Sequence, residues 1–322
     1  YRVAGPGKNY QLAEFSTNHL RLPAYFLDAG ENPPDGIIVT YYLKDKPSED
    51  EEVILSFLDS NGQMIKTFSS KKADAKGSTG TSAKPRASTG ASPPVEQRIS
   101  AEAGMNRFIW DTRHPDAHKV PDDKSTEQIV IAPLAPPGAY QVILTVAGQS
   151  QTETFGIVKD PRVVATQEDF QAQFDLLIKV RDKVSETNDS IVKLRSVKQQ
   201  VDEWTRRAAG RSSANVVSEA ASALQAKLSA IESHLVQVDF KGERDRLHLP
   251  TKLNRKLAEL ASVVSSADFA PPKQVYGVFD DFTIRIDSQL QRLQEVIDQD
   301  ISKFMDLVHE LEIPAIVPTA TA

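Results

Sequence analysis

The residues best suited to chemistry in this chain are its six histidines, and only two of them lie close together. His114-Pro115-Asp116-Ala117-His118, followed by Asp122 and Asp123, offers the side-chain types that ligate metals. A zinc-binding helix presents two histidines at i and i+4 on one face. Pro115 forbids a regular helix here, because it lacks an N–H and its ring clashes with the preceding turn. The segment therefore reads as a charged loop between strands. His19, His234, His248 and His309 are isolated, and His234 sits beside Ile231 and Leu235 at the border of an apolar stripe.

Among 44 acidic residues the densest groups are Asp280-Asp281 and Glu49-Asp50-Glu51-Glu52. Glycoside hydrolysis needs two carboxylates about 5–10 Å apart across a sugar-sized cleft. Asp280-Asp281 reads instead as a helix start, where acids complement the positive end of the dipole. The Glu49 group reads as a turn before a strand. No Gly-x-Ser-x-Gly elbow and no phosphate loop is present, and Gly5-Pro6-Gly7 lacks the flanking strand and helix such a loop needs. Asn188-Asp189-Ser190 fits a glycosylation sequon but falls inside an expected helix. The sequence thus yields no catalytic, cofactor-binding or metal-ligating residue and implies no cofactor.

Composition narrows the classes further. The chain has 322 residues, a net charge of −6 and no cysteine. Clustered Lys and Arg drive nucleic-acid binding, so an acidic chain argues against that partner. No apolar run approaches the roughly 20 residues needed to span a bilayer. The absence of cysteine removes thiolate metal sites, cysteine nucleophiles and disulfides together. The first residue is Tyr1 and no charged-then-apolar leader is seen, so the expectation is a piece of something longer.

Two periodicities divide the chain. From about Pro23 to Asp160, short β-branched and aromatic runs alternate with turn signals. Expected strands are Ile37–Leu43, Val53–Leu58, Met64–Phe68, Gly104–Asp111, Ile129–Ile131, Tyr140–Val146 and Thr152–Val158. Asn61-Gly62 between two apolar runs predicts a hairpin with a type I′ turn. Trp110 would anchor the core, and Asp111 would hold local backbone N–H groups in the turn after it. Residues 69–95 collapse to Ser, Thr, Gly, Ala, Lys and Pro, which predicts a low-complexity insertion. Seven short strands without intervening helices indicate an antiparallel β-sandwich rather than a parallel sheet.

After Asp160-Pro161 the spacing becomes helical. Phe170, Leu177, Val180, Val184, Ile191, Leu194 and Val201 share one stripe, with Thr166 and Asp169 as a capping pair and Gly210 as the stop. A second stripe holds Leu224, Leu228, Ile231, Leu235 and Val238, resuming at Leu253, Leu257, Leu260 and Val264. Phe279, Phe282, Ile286, Leu290, Leu293, Ile297 and Ile301 mark a last helix ending near Pro314. The expected fold class is α+β multidomain: an entry segment at 1–22, the sandwich at 23–160, an antiparallel α-helical bundle at 161–314 and a tail at 315–322.

Certain residues also carry a resemblance. Gly104-Met105-Asn106-Arg107-Phe108-Ile109-Trp110-Asp111, followed by Pro136-Pro137-Gly138-Ala139-Tyr140-Gln141-Val142, resembles the FlgD-like immunoglobulin sandwich. There Gly138 would supply a turn conformation and Tyr140 would pack opposite Trp110. With Asn32-Pro33-Pro34-Asp35-Gly36, Asp160-Pro161-Arg162 and Val275-Tyr276-Gly277-Val278-Phe279, nearly the whole chain is similar to the C-terminal region of bacterial BNR-repeat, sortilin-like proteins often labelled glycosyl hydrolases. The resemblance implies a β-propeller ahead of this region, export or a periplasmic location, and any hydrolytic residues in the propeller. The expected role is a non-catalytic module that packs against the propeller. It would also assemble with a second copy or a partner protein through its helices. The alternative is a carbohydrate-binding accessory module using Tyr25, Phe26, Tyr41 or Tyr42.

Overall fold

The computed structural model describes residues 13–14, 25–26, 34–48, 50–71, 98–127, 129 and 131–314. Most of the entry segment and the low-complexity insertion, and the tail, lie outside the described residues. The fold is mixed α+β, with antiparallel sheets followed by helices.

Strands β1 (Ala13–Glu14) and β2 (Tyr25–Phe26) form a two-residue ladder. The larger sheets are built from β3 (Ile37–Leu43), β4 (Val53–Asp59), β5 (Met64–Ser69), β6 (Gly104–Trp110), β7 (Gly138–Val146) and β8 (Gln149–Ile157). One sheet pairs β3 with β6; the other runs β5-β4-β7-β8. Alternation places Tyr41 and Leu43 inward and Tyr42 outward, as a period of two requires. β4 lies between two partners and its Val53, Leu55 and Phe57 are fully buried. β8 is polar and exposed over Gln149–Thr154, which suits a strand at the rim of its sheet, while Phe155 and Ile157 pack against the core.

The inner faces of the two sheets share one aromatic core. Trp110 is 0% exposed and its ring stacks on Phe57 at 4.4 Å. Tyr140 meets Trp110 edge-on at 6.3 Å, and Phe155 does so at 6.2 Å. The hydroxyl of Tyr140 donates to Pro136 O at 2.6 Å, and burial pushes its pKa up to about 12. Gly36 is confined to glycine by backbone: its φ is +139°, and an added Cβ would lie 2.3 Å from Trp110 O.

Some local expectations are corrected. The β4–β5 turn has positive φ at Gly62 alone, so it is not type I′. Asp59 Oδ1 instead accepts from the N–H groups of Asn61 and Gln63, each at 2.8 Å, and the ladder shifts register at Phe57/Leu58. A bulged loop held by a carboxylate thus replaces the two-residue turn. Gly138 opens β7 without positive φ, so its backbone makes no glycine-only demand. Ile129 and Ile131 lie in no strand.

The helical half begins with α1 (Gln167–Ala208), which spans about 60 Å at 1.5 Å per residue. The Thr166–Asp169 pair forms a reciprocal capping box. Against α1 pack α2 (Ala214–Leu235), α3 (Leu253–Val264) and α4 (Lys273–Glu295). A π-helical stretch (Val296–Ile301) continues α4 into α5 (Ser302–Glu310). Widening by one residue lets Val296 reach the core beside a half-buried Ile297. Val238 lies past the end of α2 and is exposed, outside the stripe expected for it. Asp280-Asp281 lie well inside α4, not at its start; Asp281 pairs with Arg285 at 3.3 Å.

Buried Leu, Ile and Val side chains of all five helices form one cluster, each contributing about 1.5–3 kcal/mol relative to exposure. A carboxylate links α1 to α2 within it. The Glu232 side chain is 7% exposed, with Arg195 Nε at 2.7 Å and Lys198 Nζ at 2.9 Å. Burial opposes its charge, yet the hydrogen bonds from Arg195 and Lys198 outweigh that and hold its pKa below the usual range. Replacing Glu232 with Gln leaves two cations facing a neutral group, and should cost about 2 kcal/mol at pH 7. Because the folded pKa is lowered, the deficit should shrink as pH falls below the ordinary glutamate value. Urea titrations of both proteins at pH 7 and pH 3.5 check this; equal deficits at the two pH values would reject the assignment.

Candidate functional site

Among the described residues the sheets and helices keep separate cores, with no buried residue in common. What joins them is the connection from β6 to β7, residues 111–137. It leaves the sheets, packs onto the helices and returns.

The departure is a strained turn. Asp111 Oδ1 accepts from Arg113 N at 3.1 Å, the role expected of it. Thr112 has φ +58°, a region that a β-branched residue rarely occupies. Trp110 Nε1 donates to Arg113 O at 3.3 Å, and Thr112 O accepts from Ala135 N at 2.7 Å. The outgoing and returning legs also bridge at Arg113 and Leu134. These bonds hold Thr112 in place against a strain of order 1–3 kcal/mol. Thr112→Asn, a residue that tolerates this backbone, should raise stability by about 1 kcal/mol in denaturant titrations. An unchanged or lower midpoint would show that the turn is not strained.

Beyond the turn, Ala117, Val120 and Ile131 enter the helical core. Polar groups accompany them. Asp116 Oδ1 accepts from the N–H groups of Ala117 at 2.9 Å and Ile131 at 2.7 Å, closing the excursion on itself. Asp123, buried, accepts from Ser125 N, from Thr126 Oγ1 and from Asn254 Nδ2 of α3. Arg255 Nη1 donates to Ser125 O at 2.6 Å, and Arg195 Nη1 to Pro121 O at 3.4 Å. On α1, Asn188 Nδ2 donates to His118 O at 2.7 Å, while His118 N donates to Ser185 Oγ at 3.1 Å. Asn188 is only 2% exposed, so the sequon amide is engaged in the fold.

Where the excursion lies along α1, an open groove of about 610 Å³ forms. Its chemistry-bearing side chains are Asp116, His118, Arg181, Asp182, Glu186 and Asp189. His118 Nδ1 lies 2.9 Å from Asp189 Oδ2, and both side chains are largely exposed. The groove hydroxyls face backbone: Ser185 donates to Arg181 O and Ser190 to Glu186 O. A carboxylate–imidazole pair with its neighbouring hydroxyls turned toward helix carbonyls positions no nucleophile against that base. Among the described residues, no group of three or more His, Asp or Glu is placed to hold a metal.

The remaining sequence candidates scatter. His234, His248 and His309 are not among the residues that line this groove; His234 lies on α2, His309 on α5, and His248 just past a short 3-10 turn. Glu51 carries a local turn, accepting from Ser48 N at 2.9 Å. Tyr41 is buried and its hydroxyl donates to Ser100 O, whereas Tyr42 is 63% exposed. His19 lies outside the described residues, and nothing is assigned to the side chains of Tyr25 and Phe26. Sequence reasoning had no route to the excursion's packing. The available signal was polar: Thr187 and Asn188 interrupt the apolar stripe of α1 at the place where the excursion lies.

No family model matches the chain, no curated protein matches it, and no solved structure matches it.

Proposed function

We propose that this chain is a structural and interaction module, an immunoglobulin-like sandwich fastened to an antiparallel helical bundle, working at the C-terminal end of a larger exported β-propeller protein. Strand order supports the sandwich. Read as B, C, C′, E, F and G, strands β3 to β8 pair B with E and C′-C-F-G, as immunoglobulin-type sheets do. Tyr140, at the start of the penultimate strand, bonds to a carbonyl four residues upstream in the manner of a tyrosine corner. Attachment to a propeller is supported by the sequence resemblance.

The observation that carries the role is the excursion of residues 111–137. It contributes buried side chains to the helical core and receives hydrogen bonds from α1 and α3. An arrangement that fixes one half against the other suits a spacer or docking element. The test compares the parent protein with a version truncated before Tyr1, following assembly by light scattering and hydrolysis on a polysaccharide panel. The module reading expects truncation to alter assembly and leave turnover unchanged, with the isolated chain inactive. Turnover by the isolated chain, or unaltered assembly after truncation, would reject it.

A carbohydrate-binding role is favoured by one observation. Tyr42 projects from the outer face of the β3–β6 sheet opposite an exposed Met105. An exposed ring can stack on a sugar face, and Tyr42→Ala would remove it. Calorimetric titration with polysaccharides checks this reading; no heat of binding at millimolar ligand would end it.

A further inference from the structure

Among the described residues no strand packs extensively on a helix, and the two halves meet through a narrow joint. Three chain segments cross it: the two legs of the excursion and the linker after β8. Around them the contacts are few. Gln167 Nε2 donates to Pro137 O at 2.7 Å, and Lys159 Nζ donates to Ala165 O at 2.8 Å. A histidine makes a further contact. The ring of His114 lies 4.8 Å from that of Phe174 on α1. The backbone N–H of His114 donates to Pro133 O at 2.9 Å, fixing the outgoing leg to the returning one.

We propose that His114 is an acid-sensitive wedge, which holds the sheets against α1 while neutral and releases them when protonated. The charges that act on the ring are Arg181 of α1, itself paired with Asp182 at 2.7 Å, Asp59 at the end of β4, and Lys66 of β5. Two cations and one carboxylate thus surround a half-buried imidazole that also contacts an aromatic face. Burial, with Arg181 next, lowers the pKa of His114 from 6.5 to about 4.

When the joint opens, His114 regains water and its ordinary pKa, so the open form binds the proton more readily. Acid therefore favours opening, in the window from about pH 6.5 down to about pH 4. At pH 5 the open-to-docked ratio should rise about 30-fold over its value at pH 7.5. Ala117, Val120 and Ile131 stay with the helices, since they are in their core, while His114, tied to Pro133 O, travels with the sheets; the motion is a pivot between His114 and Asp116, between Ile131 and Pro133, and in the linker after β8.

The chain has no cysteine, so an introduced pair labels cleanly. Thr154→Cys on β8 and Ser218→Cys on α2, both exposed, place one spin label in each half. Pulsed dipolar distances would be recorded at pH 7.5 and pH 5, with far-UV circular dichroism recorded in parallel. The expected result is a second, broader distance population at pH 5 with unchanged helical signal. That population should be absent in His114→Gln. Arg181→Gln should diminish the response by removing a charge that opposes protonation in the docked form. If His114→Gln is open at every pH, the response of Arg181→Gln decides: a diminished response supports the wedge, an unaltered one overturns it. The proposal also fails if distances do not change with pH, if His114→Gln responds like the unsubstituted chain, or if opening accompanies loss of helix.

Discussion

A chain in which residues 115–132 are replaced by a short Gly-Ser link is expected to keep its sheets and to lose most of the stability of its helices. The deletion removes Val120 and Ile131, both buried among the helices, together with Ala117. The loss of their burial alone amounts to about 5 kcal/mol. This is an upper figure, since unfolded chains already bury some of this surface. Asn188, Asn254 and Arg255 would also lose their bonds to His118 O, Asp123 and Ser125 O. Against a typical domain stability of about 5–15 kcal/mol, such a loss approaches unfolding. Val120→Ala with Ile131→Ala is the gentler version, expected to cost about 3–5 kcal/mol.

The two tryptophans make the measurement specific. Trp110 reports the sheets, and Trp204, beneath Arg207 on α1, reports the helices. In guanidinium titrations of the Val120/Ile131 variant, the Trp204 signal should move to lower denaturant while the Trp110 signal moves much less. A Trp204 transition at its original midpoint would mean that the excursion lies on the helices without supporting them.

Trp110→Ala should be the most damaging single substitution in the sheets, at about 3–5 kcal/mol. The ring is fully buried and touches Phe57, Tyr140 and Phe155, so its removal opens a cavity between two rigid sheets that cannot close over it. It also releases Arg113 O, which accepts from the indole N–H and helps hold the strained Thr112. Trp110→Phe retains most of the packing and should cost about 1–2 kcal/mol. Denaturant titration of both variants checks the order. A Trp110→Ala deficit below 1 kcal/mol, or equal deficits for the two, would refute the account.

Much of this architecture could be read locally. The β3 to β7 runs lie within a residue or two of their expected places; β8 starts three residues earlier than expected, at Gln149, and Ile129–Ile131 forms no strand. Ile129-Val130-Ile131 is a β-branched run whose composition and spacing suit a strand. The same spacing also serves a non-helical segment pressed onto helices, and only its distant partners distinguish the two. Asn61-Gly62 misled for the opposite reason: the dipeptide favours a tight turn, but Asp59, two residues earlier, captured the backbone first. His114-Pro115-Asp116-Ala117-His118 was legible as a loop, and the structure gives each of its polar members a distinct surrounding. His114 contacts Phe174, Asp116 holds Ile131, and His118 meets Asp189. Sequence proximity placed them near one another, while burial and helix contacts determined their chemistry.

By itself, then, the sequence determined the change from a period of two to a helical period near Asp160. It also determined the Thr166–Asp169 cap and the inward placement of Trp110, because each depends on residues within a few positions of one another. Only the tertiary structure decided that residues 116–131 complete the helical core, and that His114 stands between the halves. Those contacts join residues some 60 to 130 positions apart, as in Asn188 with His118 and Asn254 with Asp123. Over such separations side-chain periodicity carries no information about which surfaces meet. The groups that came to share low-polarity surroundings were selected by packing, and with them the buried Glu232 pair and the neutral His114.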